Sequence, residues 1–141
     1  MDKYLNAGIV LSKFSRSYME LKKDLPVRPS EMGVLNIITQ REGKHTPLMI
    51  ADLLGVSKPM ITAHIRILLK KGYIYKEQSA EDKRSFYVLP TEKATALADS
   101  FNRRQSEYLK SVEGNLDDGE FDELLRLLNK TAPMLEKVKE V

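Results

Sequence analysis

The sequence contains no cysteine, which excludes disulfide scaffolds, thiolate zinc sites, cysteine nucleophiles and thiol redox sensing. It has two histidines, His45 and His64, and no carboxylate cluster at ligand spacing, so a zinc site is not expected. Neither histidine has an evident acid or nucleophile partner, and a glycine-rich phosphate loop, HExxH and GxSxG are missing as well. No enzyme, cofactor or metal is therefore expected. Nothing approaches the roughly 18 continuous apolar residues of a membrane span. The opening MDKYLNAGIVLSKFSRS lacks the basic start, long apolar centre and small-residue cleavage site of a signal peptide. The expectation is a cytoplasmic protein with no membrane partner.

What is present is an ordinary globular composition: 141 residues, 42% apolar and 30% charged, enough for a single domain over 1–141. The net charge of +3 is unevenly placed. Residues 57–84 carry seven basic side chains (Lys58, Arg66, Lys70, Lys71, Lys76, Lys83, Arg84) against three acidic ones (Glu77, Glu81, Asp82), a net +4. A polyanionic partner fits that clustering; a merely solvated face is the alternative.

The periodicity is helical almost throughout. Tyr4, Ala7, Leu11, Phe14, Tyr18, Leu21 and Leu25 recur at alternating spacings of three and four, the seam of a helix that packs along another, ending at the Pro26–Pro29 break. Ser30 is the expected cap of a second helix, with Val34, Leu35 and Ile38 inward and an end near Gly43. Thr46 with Pro47 starts a short third helix that Gly55 closes. Ser57 caps a fourth, in which Ile61, Ile65, Leu68 and Leu69 form a buried stripe before Gly72. The runs YIYKEQ and SFYVL read as two antiparallel strands around a charged turn. Thr91 then opens a long helix, with Ala94, Leu97, Phe101, Tyr108 and Val112 on one side as far as Gly114. The last helix is expected to start at Asp117 as cap, with Glu120 three residues on and Leu116 clipped onto Phe121.

The stretch IADLLGVSKPMITAHIRILLKKGYI is the most informative. Two helices cross tightly only where the contact residue is small and the link turns sharply. Ala51 permits the approach and Gly55, four residues on, permits a left-handed turn. An ordinary helical corner has the same spacing, but a hairpin directly after it, with basic residues on both, points to a winged helix-turn-helix.

That arrangement resembles the MarR family of bacterial transcription regulators, in the helix pair IADLLGVSKPMITAHI, the passage LLKKGYI, the wing EDKRSFYVLPTEKA with its Asp82-x-Arg84 pair, and the Thr91-Glu92-Lys93 helix start. Family members commonly have Leu-Thr before that helix; here Pro90 intervenes. The resemblance implies a mainly α fold with a small β-hairpin wing (α+β): a winged helix-turn-helix at 30–90, with dimerisation helices at 1–25 and 91–141. It further implies a sequence-specific regulator of transcription, expected to be a repressor, that binds a pseudo-palindromic double-stranded DNA operator as a homodimer.

Within that frame each side chain has an expected role. Arg84 suits the narrow, negative minor groove of A·T-rich DNA, and Asp82 holds it extended. Lys83 suits a phosphate. At the amino end of the recognition helix, Ser57, Lys58, Pro59, Thr62 and Arg66 face the major groove, with Lys58 and Arg66 suited to guanine edges and Pro59 and Thr62 to a thymine methyl. Lys70 and Lys71 lie too far along for base edges; phosphate contact and solvation stay open for both. Thr46 and the amides behind it suit a backbone phosphate. Leu11, Phe14 and Leu21, with Leu124, Leu125, Leu128 and Leu135 in the last helix, are the expected dimer contacts. In the family, small anionic or phenolic effectors often bind between the dimer helices and the winged part. Arg16 with Phe14 and Met32 is a candidate set here, against the simpler reading of a solvated arginine beside two core residues. His64 is expected to pack, and His45 to be an isolated loop residue. The rival function is a winged helix that binds another protein and leaves DNA untouched.

Overall fold

Proline and glycine punctuate this chain, and most elements begin or end beside one. The computed structural model describes residues 1–139, with side chains through Val138. They form α1 (Lys3–Glu20), α2 (Pro29–Gln40), α3 (Pro47–Leu54), α4 (Lys58–Lys70), β1 (Ile74–Gln78), β2 (Phe86–Pro90), α5 (Glu92–Gly114) and α6 (Glu120–Lys139). This is the mainly α, hairpin-bearing architecture expected from the sequence.

Three helices and one loop residue differ from the expectation, each for a physical reason. First, α1 stops at Glu20. The Leu21, Lys22 and Lys23 amides bond three residues back, to the Tyr18, Met19 and Glu20 carbonyls, so the helix tightens into turns ahead of Pro26. Second, α2 is capped at Arg28 and not at Ser30: Pro29 takes the first helical position, and the Glu31 carboxylate reaches back to the Arg28 amide at 3.1 Å. The same helix ends at Gln40, because Arg41 is already extended and Gly43, at φ +87°, lies in the following turn. Third, α6 begins at Glu120, since Gly119 takes φ +81°. Glu120 still accepts the Asp117 amide, at 2.6 Å. Fourth, His45 is not isolated. It is buried, and its carbonyl accepts the Val88 amide at 2.8 Å, adding a one-residue third strand to the hairpin.

The hairpin register pairs Ile74 with Pro90 and Lys76 with Val88. Pro90 thus sits inside the pairing and does not cut β2 short. By contact density the chain divides into two units, Met1–Phe101 and Asn102–Val141, with the division inside α5. The first holds the core: sixteen buried apolar residues from Val27 to Phe101, contributed by α2, α3, α4, the hairpin and the first turns of α5, with Val27 and Tyr73 from the connecting segments. Ile61, Ile65 and Leu68 are buried as the stripe required; Leu69 only partly so. In the second unit none of residues 120–138 is buried, and Pro133 stands inside α6. No single helix among the described residues is long and apolar enough to cross a membrane.

Candidate nucleic-acid interface

Local chemistry sets the angle of the helix pair. The Thr46 hydroxyl caps α3 by accepting the Met49 amide at 3.3 Å, and the Ser57 hydroxyl caps α4 by accepting the Met60 amide at 3.2 Å. Between them Gly55 is left-handed at φ +68°, and the Val56 amide closes back on the Ala51 carbonyl at 3.0 Å. The helices bend by 114° at this break, a helix-turn-helix angle. Ala51 is buried beneath the turn, as close packing needs.

The wing folds back so that α4, the start of α3 and the hairpin enclose a cleft of about 570 Å³. Its wall includes Thr46, Lys58, Thr62, Arg66 and Arg84, five residues singled out from the sequence, together with Lys76. Four cations therefore share one cleft whose lining contains no carboxylate. Two of the three acids of the basic segment are engaged elsewhere. Glu77 pairs with Lys44 at 2.9 Å and raises the lysine's pKa through that hydrogen bond, and Asp82 belongs to the wing turn. The apolar part of the wall comes from Pro47, Leu48, Ile65, Leu69 and Phe86. The Thr62 hydroxyl donates to the Lys58 carbonyl at 2.9 Å.

The wing turn is built from short polar side chains. The Ser79 hydroxyl, nearly buried, accepts the Glu81 and Asp82 amides at 3.3 and 3.2 Å. One Asp82 oxygen accepts the Arg84 amide at 3.0 Å and lies 3.6 Å from the Arg84 Nε. The Gln78 amide group donates to the Lys83 carbonyl at 3.0 Å. The Asp82 carboxylate thus holds the backbone of Arg84 and sits beside its guanidinium, while the Arg84 side chain stays 95% exposed.

Sequence reasoning counts Lys76 in the basic cluster without giving it a role of its own, and gives none to Ser79 or Phe86. Lys76 lies on β1 with its ammonium 4.4 Å from the centre of the Phe86 ring, a contact that holds it at the cleft wall. Ser57, Pro59, Lys70 and Lys83 are exposed but do not line the cleft. Lys71, left open between phosphate contact and solvation, donates instead to the Pro26 carbonyl at 3.2 Å and lies 3.9 Å from the buried Glu31. His64 is buried on α4, its Nε2 without a hydrogen-bond partner. The candidate effector set does not assemble in this chain. Met32 is fully buried in the core and Phe14 is half-exposed, while the depression beside Arg16 is lined by Tyr4, Leu5, Gly8, Ile9 and Ser12. Core packing took Met32 because α2 turns that side of the helix inward, with Val34, Leu35 and Ile38. Of the expected dimer contacts, Leu11, Phe14, Leu125, Leu128 and Leu135 are exposed, and Leu21 and Leu124 are partly covered.

Residues 27–86, which contain the helix pair and most of the hairpin, match the model of the MarR family. An uncharacterized HTH-type transcriptional regulator of Bacillus subtilis, YpoP, is 28% identical over 107 residues, 76% of this chain and 75% of that protein. Among solved structures, a MarR protein from Peptoclostridium difficile is 25% identical, with TM-score 0.77 over 96% of this chain and 89% of the other. FabT of Streptococcus pneumoniae, solved in complex with DNA, has TM-score 0.82 at 18% identity, covering 96% and 99% of the two chains. The DNA complex of MepR from S. aureus has TM-score 0.75 at 19% identity, covering 97% and 98%.

Proposed function

We propose that this chain, whose residues 27–86 form a winged helix of the MarR family, is a sequence-specific reader of duplex DNA that represses transcription as a homodimer. The observation that carries this reading is the cleft in which Lys58, Thr62 and Arg66 of α4 and Arg84 of the wing converge with no carboxylate among them. A recognition helix in the major groove and a wing in the adjacent minor groove must straddle one sugar–phosphate strand. A cationic cleft between them suits that strand, and its apolar wall suits the sugar edges. Arg84 is aimed outward by the Asp82 turn, as an inserted guanidinium requires. That FabT and MepR were solved on DNA supports the same use of the fold.

The homodimer is supported by α1, which buries none of its residues, and by α6, whose Leu125, Leu127, Leu128 and Leu135 are exposed. Two copies related by a twofold axis present two recognition helices about one helical turn apart, so the operator is a pseudo-palindrome. Release by a small anionic or phenolic effector completes the reading, with Arg16, exposed on α1, as the anchor for its negative charge.

Selection from a random duplex library with the purified protein tests this. Recovery of a palindrome with half-sites about ten base pairs apart, bound with a steep loss of affinity as salt rises, is the expected result. No enrichment at low salt overturns it in favour of a protein-binding winged helix.

A further inference from the structure

We infer that Lys71 and Lys93 are positioning residues for the recognition helix: they lock its carboxyl end to the start of α5 and to the linker after α1, without touching DNA. This rests on the function proposed above. Lys71 caps α4, and the Lys71, Gly72 and Tyr73 carbonyls, on the passage from α4 to β1, are taken by one short segment. Lys93 Nζ donates to the Lys71 carbonyl at 2.7 Å, the Thr91 hydroxyl to the Gly72 carbonyl at 2.8 Å, and the Thr91 amide to the Tyr73 carbonyl at 3.1 Å. A cation at the negative end of the helix is favourably placed. The Lys93 ammonium also lies 4.3 Å from the centre of the buried Tyr73 ring, which restrains it further.

Lys71 is also held from the other side, through its side chain. The Lys71 ammonium donates to the Pro26 carbonyl at 3.2 Å and lies 3.9 Å from Oε1 of Glu31. Glu31 is wholly buried, its Oε1 accepts the Arg28 amide, and its Oε2 has no hydrogen-bond partner. A buried carboxylate so incompletely satisfied attracts a neighbouring ammonium, and Lys71, whose side chain is 43% exposed, reaches toward it from the surface. The linker from α1, the end of α4 and the start of α5 therefore meet at residues 71–73.

The consequence is leverage. A 13-residue helix is about 20 Å long, so a tilt of about 5° at this junction displaces its base-reading end by nearly 2 Å, beyond the tolerance of a hydrogen bond. A single recognition helix on a single half-site absorbs such a tilt by shifting as a body. Two helices fixed in one dimer do not, so the junction governs binding to the palindrome and leaves half-site binding alone.

The test uses full-length Lys71→Met and Lys93→Met, with Thr91→Val as a variant that removes no charge but takes away the hydroxyl that donates to the Gly72 carbonyl and accepts the Ala94 amide at 3.4 Å. Each is titrated against the selected palindrome and against a duplex with one intact half-site, over a range of salt. The expected result is a loss of about tenfold on the palindrome, less than about twofold on the half-site, and an unchanged slope of log affinity against log salt; Lys93→Arg, which keeps the cation, restores most of the loss. Equal loss on both duplexes, with the slope reduced by about one, makes the lysines phosphate ligands and overturns the inference. Unchanged binding to both duplexes in all three variants overturns it as well. Should a methionine variant fail to fold, Thr91→Val decides alone: loss confined to the palindrome supports the junction, and uniform loss or none overturns it. A wild-type protein that selects no palindrome at all sinks the functional reading itself, which is a separate and earlier outcome.

Discussion

The winged part and α1 have similar kinds of apolar side chains and opposite fates. Between Val27 and Phe101 sixteen apolar residues are buried. Across the 18 residues of α1 none is, although Leu5, Ile9, Val10, Leu11, Phe14 and Met19 are each between 41% and 58% exposed. One region closes on itself, using turns and caps that need nothing from outside. The other presents a helical seam with no cover, and an isolated helix of that length is marginal in water. Helical periodicity thus reports that a face is to be buried, while leaving open whether the cover comes from the same chain.

The sharpest way to break this comparison is to charge the uncovered seam. Leu11→Glu combined with Phe14→Glu is expected to give a monomer in sedimentation equilibrium. Affinity for the palindrome should fall by about 10²- to 10⁴-fold as the second half-site stops acting in concert, with the far-UV signal of the winged part retained. A protein that stays dimeric, or one that was monomeric to begin with, removes α1 from the interface. A smaller cost is expected from the closed region. Leu35 is fully buried, and Leu35→Ala should lower unfolding free energy by about 2–5 kcal/mol in urea melts, against under about 1 kcal/mol for Leu11→Ala at concentrations where the chain is monomeric. Equal costs would erase the contrast. Smaller again is Arg84→Ala: exposed as it is, it should leave urea melts unmoved while weakening operator binding by about 1–3 kcal/mol. Equal operator affinity for the two proteins would take the wing out of the minor groove.

How far the sequence could be read follows the same division between local and distant causes. Thr46, Gly55 and Ser57 were legible because a cap or left-handed turn is decided within four residues. From them follow the helix pair and the placing of Lys58, Thr62 and Arg66 on one face. Arg28 as a cap was legible in principle, since Pro29 and Glu31 flag it, but Ser30 offered the more familiar hydroxyl. Lys76 was not legible. It shares a strand face with buried Ile74, so alternation assigns it to the core side, and only the fold reveals that this side opens into the cleft over Phe86. Lys71 and His45 needed tertiary partners far away in sequence: Pro26 for one and Val88 for the other. Met32 is open to two readings in the sequence, core residue or pocket wall, because periodicity does not say which apolar face meets solvent; it is the core reading that the fold realises.

The smallest expected effect discriminates by its sign. Gly8 lies in the middle of α1, where an added Cβ meets no atom within 4 Å. Glycine inside a helix costs about 0.5–1 kcal/mol relative to alanine, so on a bare α1 Gly8→Ala stabilises the protein. The depression around Gly8, walled by Tyr4, Leu5, Ile9, Ser12 and Arg16, gives a reason for the glycine if a helix of a second copy crosses there, because a methyl group at the crossing holds the two backbones apart. The expected outcome is therefore divided. Gly8→Ala should raise the unfolding midpoint slightly in dilute, monomeric solution and weaken dimerisation by up to about tenfold, as the concentration dependence of sedimentation would show. A gain in stability at every concentration, with dimerisation unchanged, would leave the depression open in the assembled protein and move the contact to the Leu11 and Phe14 side of the helix.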